Sequence, residues 1–321
     1  MISRNSIRVK VMQALYEYNV SAHKNPKQIE KMLLNACEDI YRLYIKSLAL
    51  FVPLTQIAEQ IIDIKKTLFF AKEEDLHPNV KFIENQFIRK IGENTSLQKL
   101  IEHYGLGWNN DVEMVFVRKI FDALANQEFY IEYMQDSTNS FANDKAFVLT
   151  LVEKFFLENE TMIHYFSERK LHWQLDYNDV MIMVYNTLKG FKEKQSDNIA
   201  IPPLFKLDEE GASEDKEFML NLLHYTIQED ENYKQIVIKK LQNWEADRIA
   251  VIDFILLKMA ICEFCCFPSI PLRVTLNEYI EISKYYSTPK SRMFINGLLD
   301  KILDDLKAEN KINKQGRGLM G

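Results

Sequence analysis

Apolar residues recur at helical spacing along most of this 321-residue chain. In the first predicted helix they are spaced three or four apart, at Ile7, Val11, Ala14, Leu15 and Tyr18. The same period continues over 29–71, with a break near Pro53, and over 111–125 and 143–157. No segment shows convincing alternation with a period of two. The pattern therefore predicts an all-α fold without a sheet.

Polar and proline-rich segments divide the pattern. A turn is predicted at 77–79, and the segment 192–217 reads as a long polar connection because Pro202-Pro203 precedes an acidic stretch. We predict an N-terminal helical region over 1–206, a C-terminal bundle over 207–307 and a flexible basic tail over 308–321.

One segment recurs at a shift of 71 residues. Ten of the 46 positions in 144–189 are identical to those 71 residues later, without a gap, including Asp144 with Asp215, Phe147 with Phe218, Trp173 with Trp244 and Asp176 with Asp247. Coincidence between similar helices is the alternative. The rarity of tryptophan favours a duplicated helical unit, in which Trp-x-x-Asp opens a helix and the aspartate caps it. Trp108 is a weak candidate for a third copy.

The composition and motifs of the chain argue against several classes of functional site. Only nine glycines occur, three of them in the last six residues, which favours helices over phosphate-binding loops. No nucleotide-binding, hydrolase or metalloprotease motif is present, so we expect no enzyme and no cofactor. The cluster Cys262-x-x-Cys265-Cys266 falls within a helical run, and the histidines lack ligand spacing, which favours buried cysteines over a metal site.

The hydropathy of the chain indicates where the protein is located in the cell, and its charge distribution indicates whether it binds nucleic acid. No stretch reaches about 20 apolar residues, no signal-peptide pattern begins the sequence, and four cysteines suit a reducing compartment, so we expect a cytoplasmic protein without a membrane span. The net charge is −6, yet residues 1–10 carry three basic residues and no acid, and residues 272–321 carry nine basic against six acidic. Local positive patches matter more for nucleic acid than the total charge does.

Four motifs carry a specific resemblance. They are Arg8-x-Lys10-Val11-Met12-Gln13-Ala14-Leu15-Tyr16 in the first helix, then the segments 256–264, 270–284 and 291–301, the last containing Phe294-Ile295-Asn296-Gly297. In order and spacing they resemble the NusB family. The resemblance covers roughly residues 1–20 and 240–305, and the segment between them is far longer than that family's usual two helices.

The resemblance implies two three-helix bundles and a role in transcription antitermination. It implies binding to boxA, a short single-stranded leader RNA of ribosomal RNA operons, together with NusE, a small-subunit ribosomal protein, within the RNA polymerase antitermination complex. On this basis the candidate RNA-binding residues are Arg4, Arg8, Lys10, Lys290, Arg292 and Phe294. The candidate partner-binding residues are Asp253 and Lys258.

The residues leave alternatives open. Phe294 can be core rather than a base-stacking face, and the N-terminal basic residues can form a solvated surface. Asn277 and Glu278 are better explained as helix caps than as a recognition pair. A helical protein-interaction scaffold that does not bind RNA is the competing function, since it would suit the long acidic middle segment.

The last predicted helix has two further features. Thr288 and Pro289 suit an N-cap and a first helical position before a helix over 290–306, whose free amides would favour phosphate near Lys290. Gly297 lies inside that helix, where it costs about 1 kcal/mol relative to alanine. We expect this glycine to permit close packing of another backbone.

Overall fold

The computed structural model describes residues 1–67, 77–241 and 249–319. Within these ranges the chain is helical and contains no strand, as predicted. The helices are α1 (Arg4–Val20), α2 (Pro26–Leu48), α3 (Phe51–Lys66), α4 (Gln86–Glu93), α5 (Thr95–Tyr104), α6 (Asp111–Leu124), α7 (Glu128–Gln135), α8 (Phe141–Leu151), α9 (Glu160–Ser167), α10 (Trp173–Gly190), α11 (Glu214–Gln228), α12 (Asp230–Lys240), α13 (Val251–Cys266), α14 (Leu272–Tyr286) and α15 (Ser291–Ala308). One π-helical turn (Val152–Phe156) extends α8, and a 3₁₀ turn (Gly316–Leu319) follows α15.

The chain forms two compact units. Unit 1 contains Glu38–Leu204 together with Met1, and unit 2 contains Ile2–Cys37 and Phe205–Gly321. One division falls within α2 and the other at 204/205, inside the polar connection. The first helix therefore packs with the C-terminal part of the chain, whereas our sequence-based division placed it with the helices that follow it.

Unit 2 is built around α13. This helix is apolar on most sides, with a continuous buried run from Ile255 to Phe264 that includes the charged residues Lys258 and Glu263, and such a helix must be surrounded. α1, α11, α12, α14 and α15 all pack against it. With α13 they make six helices, and unit 2 also contains the first part of α2, up to Cys37.

Aromatic side chains dominate the core of unit 1. The rings of Phe116 and Tyr165 stack with centroids 3.6 Å apart, and Trp108 stacks on both. The indole nitrogen of Trp108 donates to the carbonyl of Lys46, and that of Trp173 donates to the carbonyl of Asp39, each at 3.0 Å. The two tryptophans thus hold the same helix, α2, at points two turns apart.

The two segments of the proposed repeat have the same order of helices. In unit 1 the order is α8, α9, α10, and in unit 2 it is α11, α12, α13. Their first aspartates play matching roles. Asp144 accepts a hydrogen bond from the amide of Gln86 at the start of α4 (2.8 Å), while Asp215 accepts one from Arg4 at the start of α1 (2.9 Å). Each aspartate fixes the beginning of the helix that packs beside its own.

The predicted cap at the Trp-x-x-Asp motif is wrong in the first copy. α10 begins at Trp173, so Asp176 lies inside its first turn and is buried. Asp176 comes three residues after the first helical residue, past the position where a side chain caps the helix. Trp244 and Asp247 of the second copy lie outside the described residues.

The predicted flexible tail is also corrected. Lys314 donates hydrogen bonds to the carbonyls of Glu263 (3.1 Å) and Phe267 (2.8 Å), and the amide of Gln315 donates to the carbonyl of Pro268 (3.0 Å). The last carbonyls of a helix have no intrahelical donor, and a cation suits that end of the helix dipole. Residues 311–319 are therefore held at the C-terminal end of α13, and burial lowers the pKa of Lys314.

Gly297 does not serve internal packing, contrary to our expectation. A Cβ built on it meets nothing within 4 Å, whereas a Cβ on Gly318 would lie 1.9 Å from the carbonyl oxygen of Pro268. We therefore expect Gly297→Ala to raise the free energy of unfolding by up to about 1 kcal/mol, the difference in helix propensity. Gly318→Ala should lower it, because the tail must move. Urea denaturation of the two variants measures both signs, and destabilisation by Gly297→Ala would contradict the open environment.

The helical stretch Pro26–Lys66 is long and apolar enough to cross a membrane by length and composition alone, although our sequence analysis predicted no span. Half of its most apolar window is buried inside the fold. Core helices of folded domains have this composition as well.

Candidate RNA-binding surface

Arg8 lies at the centre of a buried polar network in unit 2. Its Nε and one terminal nitrogen donate to the two carboxylate oxygens of Glu263 at 2.9 and 2.8 Å, and its other terminal nitrogen donates to Glu278 at 3.3 Å. Thr275 and Tyr279 donate their hydroxyls to the same Glu263 carboxylate at 2.8 and 3.1 Å. The network joins α1, α13 and α14.

Burial decides the chemistry of this network. The side chains of Arg8 and Glu263 are 2% and 0% exposed. Burial alone would lower the pKa of Arg8, but the hydrogen bonds and charge of Glu263 outweigh it and raise that pKa above its ordinary value. Arg8 therefore stays charged and is neutralised by Glu263, so its guanidinium is not exposed to an RNA phosphate.

Arg4 lies nearer the surface and is also paired. It contacts Glu214 at 2.8 Å and Asp215 at 2.9 Å, both in the first turn of α11, and its side chain is about one-third exposed. Lys10 is buried. Direct phosphate contact, expected for Arg4, Arg8 and Lys10, does not fit the burial of Arg8 and Lys10. The ion pairs of Arg4 and Arg8 fix α1 in unit 2, and of the three basic residues only Arg4 retains an accessible portion.

The α14–α15 corner, residues 284–294, is the second place where predicted RNA-binding residues lie. The buried carboxylate of Asp253, on α13, holds this corner by hydrogen bonds. Ser291 donates to its Oδ2 at 2.6 Å, and Ser287 donates to its Oδ1. The two serine hydroxyl oxygens are 3.0 Å apart, and Thr288 contacts that of Ser291 at 2.8 Å. One carboxylate thus fixes the turn between two helices.

The predicted residues of this corner reach solvent. Lys290 and Arg292 are exposed and Phe294 is partly buried, so the three lie together at the start of α15. Lys290 occupies the cap position without a side-chain hydrogen bond, and the helix begins at Ser291. The predicted cap by Thr288 is therefore wrong, because Thr288 contacts the Ser291 hydroxyl instead.

The predicted partner-binding residues are inside unit 2. Asp253 is 5% exposed and accepts the two serine hydroxyls, and Lys258 is 5% exposed and forms an ion pair with Asp230 of α12. Their side chains hold the corner and α12 in place. They do not offer a free charge to a protein.

Sequence reasoning missed two features. The first is the buried ion pair between Glu263 and Arg8. Glu263 lies inside one of the four motifs, but Arg8 is 255 residues away, and the only signal in the sequence was the opposite charge of two residues within apolar helical patterns. Tyr285 was missed because a tyrosine on an amphipathic helix ordinarily packs inward. In the structure it is 78% exposed.

Comparison with known proteins places these elements in a family. Residues 179–304 match the model of the NusB family. A transcription antitermination protein NusB of Salinibacter ruber is 44% identical over 115 residues, which covers 36% of this chain and 71% of the relative. A second NusB, from Chloroherpeton thalassium, is 38% identical over 33% of this chain and half of the relative.

A third relative, NusB of Koribacter versatilis, is 30% identical over 142 residues, covering 39% of this chain and 97% of its own length. No solved structure gave a significant match. The similarity to known proteins thus rests on sequence, and it is partial along this chain.

Proposed function

The chain belongs to the NusB family, and on this premise we propose that it is a non-enzymatic, cytoplasmic transcription antitermination protein that binds RNA. Its ligand would be a boxA-like single-stranded leader RNA of ribosomal RNA operons. Its partners would be a NusE-type ribosomal protein and the RNA polymerase antitermination complex. Most of unit 1, the part before residue 179, lies outside the residues that match the family model.

One observation carries the RNA-binding proposal. Lys290 and Arg292 are exposed and Phe294 is accessible on a turn fixed by Asp253. Single-stranded RNA presents phosphates to cations and unstacked bases to aromatic rings. Free amides at the start of α15 add to the attraction for phosphate at Lys290.

The remaining candidate residues act indirectly in this proposal. Arg8 positions α1 through Glu263, Lys10 is buried in unit 2, and Arg4 contributes its accessible side to RNA while it anchors α11. Asp253 and Lys258 support a partner surface by holding the corner and α12, not by touching the partner themselves.

A binding titration tests the function. Fluorescence anisotropy with labelled boxA-like RNA, in the presence and absence of a NusE-type protein, should show binding that the partner strengthens. A scrambled RNA of equal length and composition is the control. If neither RNA binds with or without the partner, the helical scaffold is the better account.

Salt dependence separates charge from stacking. We expect Lys290→Ala and Arg292→Ala each to reduce the slope of log affinity against log salt by about 0.7, because each removes one phosphate contact on a single strand. Phe294→Ala should weaken binding by about 1–3 kcal/mol at every salt concentration with little change in slope. Unchanged binding in all three folded variants would move the RNA site elsewhere.

A further inference from the structure

Tyr285 is an aromatic residue that the fold does not use. It lies in the last turn of α14 with 78% of its surface exposed, whereas Tyr279 on the same helix is fully buried. Exposing a large ring forgoes the favourable free energy of its burial. An exposed ring on a rigid element is therefore available to a ligand.

Tyr285 lies beside the turn that the Asp253 carboxylate holds through Ser287 and Ser291, an arrangement called the Asp253 clamp below. Tyr285 comes two residues before Ser287, and Phe294 comes three residues after Ser291. Those two serines share one carboxylate and have hydroxyl oxygens 3.0 Å apart. The two aromatic residues therefore flank the same fixed turn along the chain, one in the last turn of α14 and one near the start of α15.

The charge of the corner indicates the class of ligand. Residues 284–293 carry Lys284, Lys290 and Arg292 and no acidic residue. Lys284 pairs with Glu281 one turn earlier, and Lys290 and Arg292 are exposed. Tyrosine and arginine also occur at protein interfaces, but a cationic surface with accessible rings matches the charged groove and stacking platforms that bind single strands.

We propose that Tyr285 is a second base-stacking platform, on which a base of single-stranded RNA stacks while Phe294 receives another. This rests on the proposed function, and it adds a contact at a residue that is not among the candidate RNA-binding residues named from the sequence. Lys290 and Arg292 would neutralise the phosphates near the stacked base. The RNA would then cross the turn between α14 and α15.

The test compares Tyr285→Ala and Tyr285→Phe in anisotropy titrations with boxA-like RNA. Tyr285→Ala should weaken binding by about 5- to 150-fold with an unchanged salt slope, and Tyr285→Phe should bind almost normally because the ring remains. Tyr185→Ala is the matched control, a tyrosine beside Lys189 on α10 of unit 1, and it should not alter binding. Circular dichroism checks that each variant is folded.

RNAs with one abasic position identify the stacked base. Removing that base should weaken RNA binding by the unaltered protein but should hardly weaken further the binding by Tyr285→Ala. A different abasic position should have the corresponding effect for Phe294: it should weaken binding by the unaltered protein and leave the affinity of Phe294→Ala unchanged. If Tyr285→Ala binds RNA normally while Phe294→Ala does not, the second platform is wrong and the proposed function stands. If Tyr285→Ala loses only the NusE-type protein, the ring is a protein contact and the inference is overturned. If the unaltered protein binds no RNA, both fail.

Discussion

Replacing Arg8 with methionine is expected to lower the free energy of unfolding by about 3–5 kcal/mol, the cost of leaving one partner of a buried ion pair uncompensated. The loss arises at Glu263, whose fully buried carboxylate would lose the two hydrogen bonds that it accepts from the guanidinium of Arg8. Urea denaturation followed by circular dichroism measures the change. Methionine suits the test because it retains much of the side-chain volume.

Two variants make this interpretation specific. Glu263→Gln combined with Arg8→Met should recover part of the lost stability, since no buried charge remains. Arg4→Met removes a cation from the same helix but from a partly exposed ion pair, so it should cost at most about 1 kcal/mol. A fully stable Arg8→Met protein that has lost RNA binding would contradict the structural role and restore direct phosphate contact.

Asp253→Ala is expected to destabilise the protein by about 1.5–3 kcal/mol, the range for hydrogen bonds to a charged group, because the hydroxyls of Ser287 and Ser291 lose their acceptor. The turn they hold should also open. Limited trypsin digestion reports this directly, since Lys290 lies on the turn and Arg292 in the first turn of α15, and cleavage at both should become faster. Urea denaturation gives the global change.

Asp253→Asn is the matched variant for this clamp. An amide keeps one oxygen acceptor of two, so both effects should be smaller than in Asp253→Ala. Asp300→Ala removes an exposed carboxylate from α15 without touching the clamp and should leave the cleavage rate unchanged. If Asp253→Ala is as stable and as resistant as the unaltered protein, the carboxylate is not what fixes the corner.

Helix positions could be read from the sequence because periodicity reports which face is apolar. The first helix follows its predicted apolar positions, with Ile7, Val11 and Leu15 buried, and α6 ends one residue before the predicted 125. The α14–α15 corner was found because motif spacing locates Lys290, Arg292 and Phe294 near a helix start. Both inferences depend on local sequence, where a single chain is most informative.

Burial and long-range pairing could not be read in the same way. A motif places Arg8 on a helix, but whether its side chain meets RNA or Glu263 depends on residues 255 positions later. Lys314 sits in a polar, glycine-containing segment typical of free tails, and only the exposed carbonyls at the end of α13 explain why it is held. Gly297 similarly shows no sign in the sequence of facing open space.

The discontinuity of unit 2 has a consequence for synthesis on the ribosome. α1 is made early, yet Glu263, which neutralises its Arg8, follows 255 residues later, so at about 5–20 residues per second the arginine waits about 13–50 s for its counter-charge. Unit 1, whose residues are nearly all contiguous, can fold during that interval. Closing the long intervening loop adds little cost for its length, since the entropy grows only with the logarithm of residue number. The nascent chain should therefore complete its inserted unit before the unit that contains its first helix.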